Sequence, residues 1–198
     1  MNITLKNTGK RFNREWIFRN VNFEFSEKEK HVILGSNGSG KSTLLQIISG
    51  AVSPSEGEIK YDAASENLFR DLTIAAPYLE LPEEMKWKEA IQFHGKFKKF
   101  IKGFDTEKII SLSGLQLSAE KEIRNFSSGM KQRAKLSLAI LSDTSLLLLD
   151  EPSTNLDEQS VKWYQHLIEE FAKEKTVIVC SNYNKGEYSF CSKELKLS

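Results

Sequence analysis

The chain of 198 residues predicts an α/β fold built on a mainly parallel sheet. Three observations predict it. Short apolar runs, Val32-Ile33-Leu34, Leu146-Leu147-Leu148-Leu149 and residues 176–180, have the composition of strands buried on both faces. Helix-prone segments separate them, and strands alternating with helices build parallel sheets. The first of these runs also leads through a glycine-rich loop straight into a helical pattern.

The elements follow in order. Residues 1–25 alternate loosely and carry the turn residues Asn7, Gly9 and Asn13, so they predict short antiparallel strands in an N-terminal β subdomain. Residues 32–50 form the strand–loop–helix unit. Residues 53–57 make a turn and 58–61 a short strand. A further strand at 72–76 ends at Pro77. Residues 83–122 are polar and poor in β-branched side chains. A helix over 83–102 brings Trp87, Ile91, Phe93, Phe97, Phe100 and Ile101 near helical spacing, and Gly103 suits its end. A second short helix covers 106–112. Roughly 78–128 is therefore expected to be a helical subdomain inserted in one α/β domain spanning 1–198. Residues 128–141 form a strong helix with Leu136, Ala139 and Ile140 on one face. Residues 158–173 form an amphipathic helix, and 194–197 the last strand. Trp87 and Trp163, on amphipathic helices, are expected in the core or an interface.

Composition narrows the function. Lys plus Arg is 28 and Asp plus Glu 27, so no global basic field argues for nucleic acid, and none is expected as a partner. The two cysteines, Cys180 and Cys191, form no CxxC pair. Cys180 lies in an apolar run as a small buried residue, and this usage fits a reducing compartment. Residues 1–6 lack the apolar region of a signal peptide. The leucine run at 146–149 falls far short of the ~20 residues that span a bilayer. The histidines His31, His94 and His166 have no metal-ligand spacing. Residues 94–102 interleave lysine with aromatics. That pattern reads as an amphipathic helix with a solvated basic face, with contact to nucleic acid or a membrane surface as the alternative.

Three segments carry chemistry. Gly35-Ser36-Asn37-Gly38-Ser39-Gly40-Lys41-Ser42-Thr43 stands between a strand and a helix. Glycines let successive N–H groups point at one phosphate, and the helix dipole adds positive charge there. Lys41 can reach the β- and γ-phosphates and the Ser42 hydroxyl can ligate Mg²⁺. The loop thus predicts a bound nucleoside triphosphate. Asp150 and Glu151 end a buried strand, where open α/β sheets bind ligands. Asp150 can hold Mg²⁺ and Glu151 can polarise an attacking water. The alternative is an acidic pair capping a helix that starts near Pro152. In the third segment, Ser127 and Ser128 can cap the helix from 128 and expose another anion site, the alternative being an ordinary N-cap.

Together these elements resemble the nucleotide-binding subunit of an ABC transporter over nearly the whole chain. Residues 35–43 match the Walker A loop, and Phe126-Ser127-Ser128-Gly129-Met130 looks like a variant LSGGQ signature followed by Lys131-Gln132-Arg133. Residues 146–151 match Walker B with its catalytic glutamate, and Ser153-Thr154-Asn155-Leu156-Asp157 resembles the D-loop. The resemblance implies an ABC-type ATPase core with a helical signature subdomain, using ATP and Mg²⁺. It implies a head-to-tail dimer, homo- or heteromeric, in which Ser127, Ser128, Gly129 and Met130 meet the γ-phosphate bound by the partner subunit. It also implies transmembrane permease subunits driven by hydrolysis, and hence a cytoplasmic chain peripheral on the inner face of the cell membrane.

The match departs in places. Asn182 stands where the family carries its switch histidine, and it donates a hydrogen bond without titrating. Tyr78 stands at the Q-loop glutamine and is a poor Mg²⁺ ligand. Ser128 and Met130 replace a signature glycine and glutamine. By offset, Phe12 fits the aromatic that stacks on adenine, with Trp16 the second candidate and a core position the alternative for both. Two other functions share the motifs. A soluble ABC-type ATPase outside transport is disfavoured by a single motif set without a heptad run. A low-turnover regulatory subunit is motivated by Tyr78 and Asn182 and opposed by Glu151.

Overall fold

A computed structural model describes residues 1–62 and 68–197. Along the chain run β1 (Ile3–Phe12), β2 (Glu15–Phe25), β3 (Lys30–Leu34), α1 (Lys41–Ile48), β4 (Glu56–Tyr61), α2 (Leu68–Asp71) and β5 (Leu72–Ala75). Then follow α3 (Trp87–Phe97), α4 (Thr106–Ser113), α5 (Ser128–Leu141), β6 (Leu146–Asp150), α6 (Glu158–Phe171), β7 (Thr176–Ser181), α7 (Lys185–Tyr188) and β8 (Lys193–Lys196). Short 3-10 turns at Gln116–Ser118 and Ile123–Asn125 lie between α4 and α5.

Five strands pair in parallel in the order β5-β6-β7-β3-β8, and three pair antiparallel in the order β2-β1-β4. The parallel sheet is covered on both faces, which explains its continuous apolar strands. In β6, Leu147 and Leu149 pack with α3, α4, α5 and α6, while Leu146 and Leu148 pack with α1 and the antiparallel sheet. All four are fully buried. Each contributes about 2 kcal/mol of apolar burial, so a polar side chain anywhere in this strand is costly.

The strands of residues 1–25 are long rather than short, spanning 10 and 11 residues. The cause is asparagine. Asn7 and Asn20 take positive φ at 47° and 55°, a conformation that asparagine tolerates better than most residues. They sit where the β1–β2 register shifts, so they bulge the hairpin instead of ending it. Asn13 alone turns the chain, at φ 54°.

The helix expected over 83–102 is also shorter. Lys86 is extended at its start and Lys98 at its end. Beyond it, Ile101 N–H donates to Leu141 O at 3.0 Å and Asp143 N–H to Lys99 O at 2.8 Å. Backbone pairing with the end of α5 thus replaces the last helical turn. Gly103 lies in the following turn, at φ 85°. Trp87 and Ile91 are buried, but Phe93 and Phe97 are exposed and touch edge-on, 5.1 Å between centroids. The basic residues of 94–102 therefore do not share one helix face.

His94, near the end of α3, stacks on Phe100 with centroids 5.4 Å apart. The Ser142 hydroxyl donates to Leu138 O at 2.6 Å, so at 2.8 Å from it His94 Nε2 acts as the donor. Burial, helped by Lys98, pushes this imidazole down to about 4. Between that value and the ordinary ~6.5 the unfolded chain binds the extra proton, so stability falls as pH drops through this window. The protein should lose about 2 kcal/mol of stability between pH 8 and pH 5 through this group. Urea midpoints measured at the two pH values should converge in His94→Gln.

Candidate nucleotide site

The parallel register places three strand ends side by side. Leu34 of β3 is level with Ser181 of β7, and Asp150 of β6 with Cys180. Everything that leaves these ends therefore converges on one edge, as it does in other open parallel sheets.

From β3 the chain enters the glycine loop. Gly40 caps α1 in the left-handed region at φ 92°, and a Cβ there would sit 2.5 Å from Ile17 Cγ2. Glycine is needed on both counts. Lys41 is buried, and its ammonium donates to Gly35 O at 3.0 Å and Ser36 O at 2.9 Å. Its ammonium is thereby held across the loop by backbone carbonyls, where an anion can reach it. A hollow of about 370 Å³ opens here, lined by Ile17, Asn37, Gly40, Lys41, Thr43 and Glu151.

From β6 come the two carboxylates. Asp150 is 2% exposed, and among the described residues its Oδ1 has no hydrogen-bond partner. Burial pushes its carboxyl up, and the Ser42 hydroxyl opposes that. An orphaned buried carboxylate oxygen with a serine hydroxyl close by is the donor set of a hard divalent cation, so Asp150 and Ser42 fit Mg²⁺. Glu151 faces the hollow with φ 45°, a conformation non-glycine residues rarely take and one that clusters at functional sites. Its N–H is fixed by Cys180 O at 3.0 Å. No helix starts at Pro152; α6 starts later, capped by Asp157, which accepts from Ser160 N at 2.7 Å. The acidic pair is therefore not a helix cap, and the D-loop residue Asp157 is one.

The signature segment lies beyond the D-loop. Ser127 caps α5, accepting from Met130 N at 3.2 Å, so Ser128 and Gly129 form the exposed first turn. A Cβ on Gly129 would come within 3.0 Å of Asn155 O. Gln132 Nε2 donates to Pro152 O at 2.8 Å. Helix and D-loop are thus in direct contact. Arg133 lies over the Trp163 ring at 4.3 Å and donates to Ser113 O at 2.9 Å, joining α4, α5 and α6.

The remaining candidates are less central. Asn182 is exposed just after β7. Tyr78 is 44% exposed, and burial of the rest of its side chain is the main cause pushing its hydroxyl up. Phe12 and Trp16 are 49% and 37% exposed, so neither is core. Arg19 covers the Trp16 ring at 4.1 Å with Arg11 at 5.6 Å, and Lys10 lies 5.0 Å from the Phe12 centroid. Sequence reasoning missed Ile17, which lines the hollow. It also missed Glu187 of α7, buried between β7 and the D-loop; nothing in its local sequence marks it.

A phosphate-binding loop, a strand-end carboxylate pair and a helix-terminal anion site over a parallel sheet define a P-loop nucleotide-binding protein. The sequence model described as "ABC transporter" matches residues 18–154. The chain therefore belongs to the ABC transporter family. It is 29% identical over 203 residues to an uncharacterized ABC transporter ATP-binding protein, YybJ, of Bacillus subtilis, covering 99% of this chain and 92% of the relative. It is 29% identical over 188 residues to the lantibiotic transport ATP-binding protein SrtF of Streptococcus pyogenes, covering 93% and 81%. A solved ATP-binding protein of a putative ABC transporter from Pyrococcus furiosus shares the fold with TM-score 0.84 at 20% identity, covering 100% and 98%. A dimeric bacterial ABC transporter cassette does so with TM-score 0.82 at 24% identity, covering 98% and 94%.

Alanine at position 40 has no room and an unfavourable φ, a strain of about 1–3 kcal/mol. Gly40→Ala should weaken ATP binding about tenfold or more, read by titrating a fluorescent ATP analogue.

Proposed function

We propose that the chain hydrolyses Mg-ATP in the hollow beside the phosphate loop, within a dimer that sandwiches two nucleotides and drives separate transmembrane subunits. The observation that carries this reading is the convergence of Lys41, Ser42, Asp150 and Glu151 on one sheet edge, with Asp150 Oδ1 unpartnered. Loop N–H groups of residues 35–43 hold the phosphates and Lys41 leaves its two carbonyl partners for them. Asp150 and Ser42 would hold Mg²⁺, which neutralises charge on the phosphates. Glu151 orients the attacking water and accepts its proton. The exposed turn at Ser127, Ser128, Gly129 and Met130 supplies an anion site for the γ-phosphate held by the partner subunit. Phe12 is the adenine platform, because two guanidinium groups already occupy Trp16. Tyr78 stands on the metal side of the site, close enough for the Asp150 charge to act on its hydroxyl.

Among the described residues no helix is long and apolar enough to cross a membrane, which supports separate membrane subunits. A groove of about 410 Å³ beside α3, lined by Phe69, Leu72, Leu79, His94, Lys98 and Leu138, supports docking of such a subunit there. The chain would then lie peripherally on the cytoplasmic face. Asn182 favours a second reading, a subunit of low turnover.

Glu151→Gln should lower kcat about 10²–10⁴-fold and leave ATP binding intact. It should accumulate an ATP-dependent dimer by light scattering, and a monomer at saturating Mg-ATP contradicts the sandwich. Asn182→His should raise kcat about tenfold. An unchanged rate in a steady-state phosphate assay removes the low-turnover reading.

A further inference from the structure

Glu187 of α7 is a charged side chain only 4% exposed. Burying an ionised carboxylate is costly unless hydrogen bonds satisfy it. Three do. Oε1 accepts from Ser153 N–H at 3.3 Å and from the Ser153 hydroxyl at 2.8 Å, and Oε2 accepts from the Ser181 hydroxyl. The ring is closed by Asn184, whose Nδ2 donates to Ser153 Oγ at 2.9 Å and whose N–H donates to Ser181 Oγ at 3.2 Å. From below, the buried Tyr164 hydroxyl donates to Glu187 O at 2.9 Å and holds α7 against α6.

The two serines are not equivalent bystanders. Ser153 stands two residues after Glu151, at the entry to the D-loop. Ser181 immediately precedes Asn182. One carboxylate therefore ties the segment that carries Glu151 to the segment that carries Asn182. Phosphoryl transfer depends on positioning more than on covalent chemistry, and a misplacement near 1 Å can cost about 10²-fold in rate. Among the described residues the Glu187 carboxylate hydrogen-bonds to Ser153 and Ser181 and not to Glu151 or Asn182 themselves.

We propose that Glu187 is a positioning residue for hydrolysis, clamping the Glu151 and Asn182 segments in register through Ser153 and Ser181. This rests on the ATPase reading above. The D-loop end of the clamp also connects to the signature helix through Gln132 and Pro152, so a change at one site reaches the surface offered to the other subunit.

The test uses the full chain with Mg-ATP and compares wild type, Glu187→Gln, Ser181→Ala and their double mutant. A glutamine keeps the volume and can still accept from Ser153, but its NH₂ cannot accept the Ser181 proton. Ser181→Ala removes the same bond from the other side. Each single variant should lower kcat at least tenfold, with KM and the Kd of a fluorescent ATP analogue within twofold of wild type. The double mutant should be no slower than the worse single variant, because both remove one interaction. If kcat stays within twofold in both singles, the clamp plays no part in positioning. If kcat, ATP affinity and melting temperature fall together, or the two losses multiply, Glu187 serves only the fold. A wild-type chain that hydrolyses no ATP fails the ATPase reading instead, before any variant is compared.

Discussion

The rest of the molecule depends on the parallel pairing of β3, β7 and β6. Parallel strands must be buried on both faces, since their connections pack across them. Here that requirement is met by α1 and the antiparallel sheet on one side and by α3, α4, α5 and α6 on the other. It sets the site as well as the core. With all strands pointing one way, their carboxyl ends deliver the glycine loop, the two carboxylates and Asn182 to a single edge. No long-range side-chain search is needed to assemble these groups, because backbone register does it.

That edge is built to keep charge unsatisfied. Lys41 is buried against carbonyls and Asp150 is buried with a bare oxygen. Neither arrangement favours the empty protein, since buried charges cost several kcal/mol unless paired. Both are relieved by a polyphosphate with its cation. Glu151 carries a different strain, a positive φ pinned by β7. The sheet tolerates these local costs because four stacked leucines and their neighbours over-determine the strand they end.

What was legible in the sequence follows from how each feature is stabilised. The buried strands and α5 were readable, since burial on two faces leaves only apolar residues and 3.6-residue periodicity does the rest. The loop, the strand-end carboxylates and the cap at Ser127 were readable because each is a local pattern with a local physical cause. Where long-range backbone pairing overrode local pattern, the reading erred. Phe100 and Ile101 fit a helix, yet pairing with the end of α5 draws them into an extended segment. Asn7 looks like a strand end, yet the hairpin absorbs it, together with Asn20, as a bulge. The role of Glu187 was invisible for the same reason, as its partners lie 34 and 6 residues away. Phe12 and Trp16 could be named by offset, but their exposure and the basic side chains over both rings come from the hairpin pairing and were not legible locally.

Cys180 lies directly under the phosphate loop, fully buried, with its thiol toward Lys41 O at 3.5 Å. Burial pushes that thiol well above its ordinary range, and pushes Cys191 up to about 12. Oxidants attack the thiolate, not the thiol. At neutral pH a thiol titrating near 12 is ionised only about once in 10⁵ molecules. Cys180, also pushed up and fully buried, is held as the thiol rather than the thiolate that oxidants attack. The sulfur atom under the loop therefore acts as a small apolar filler beside the nucleotide site rather than as a reactive group.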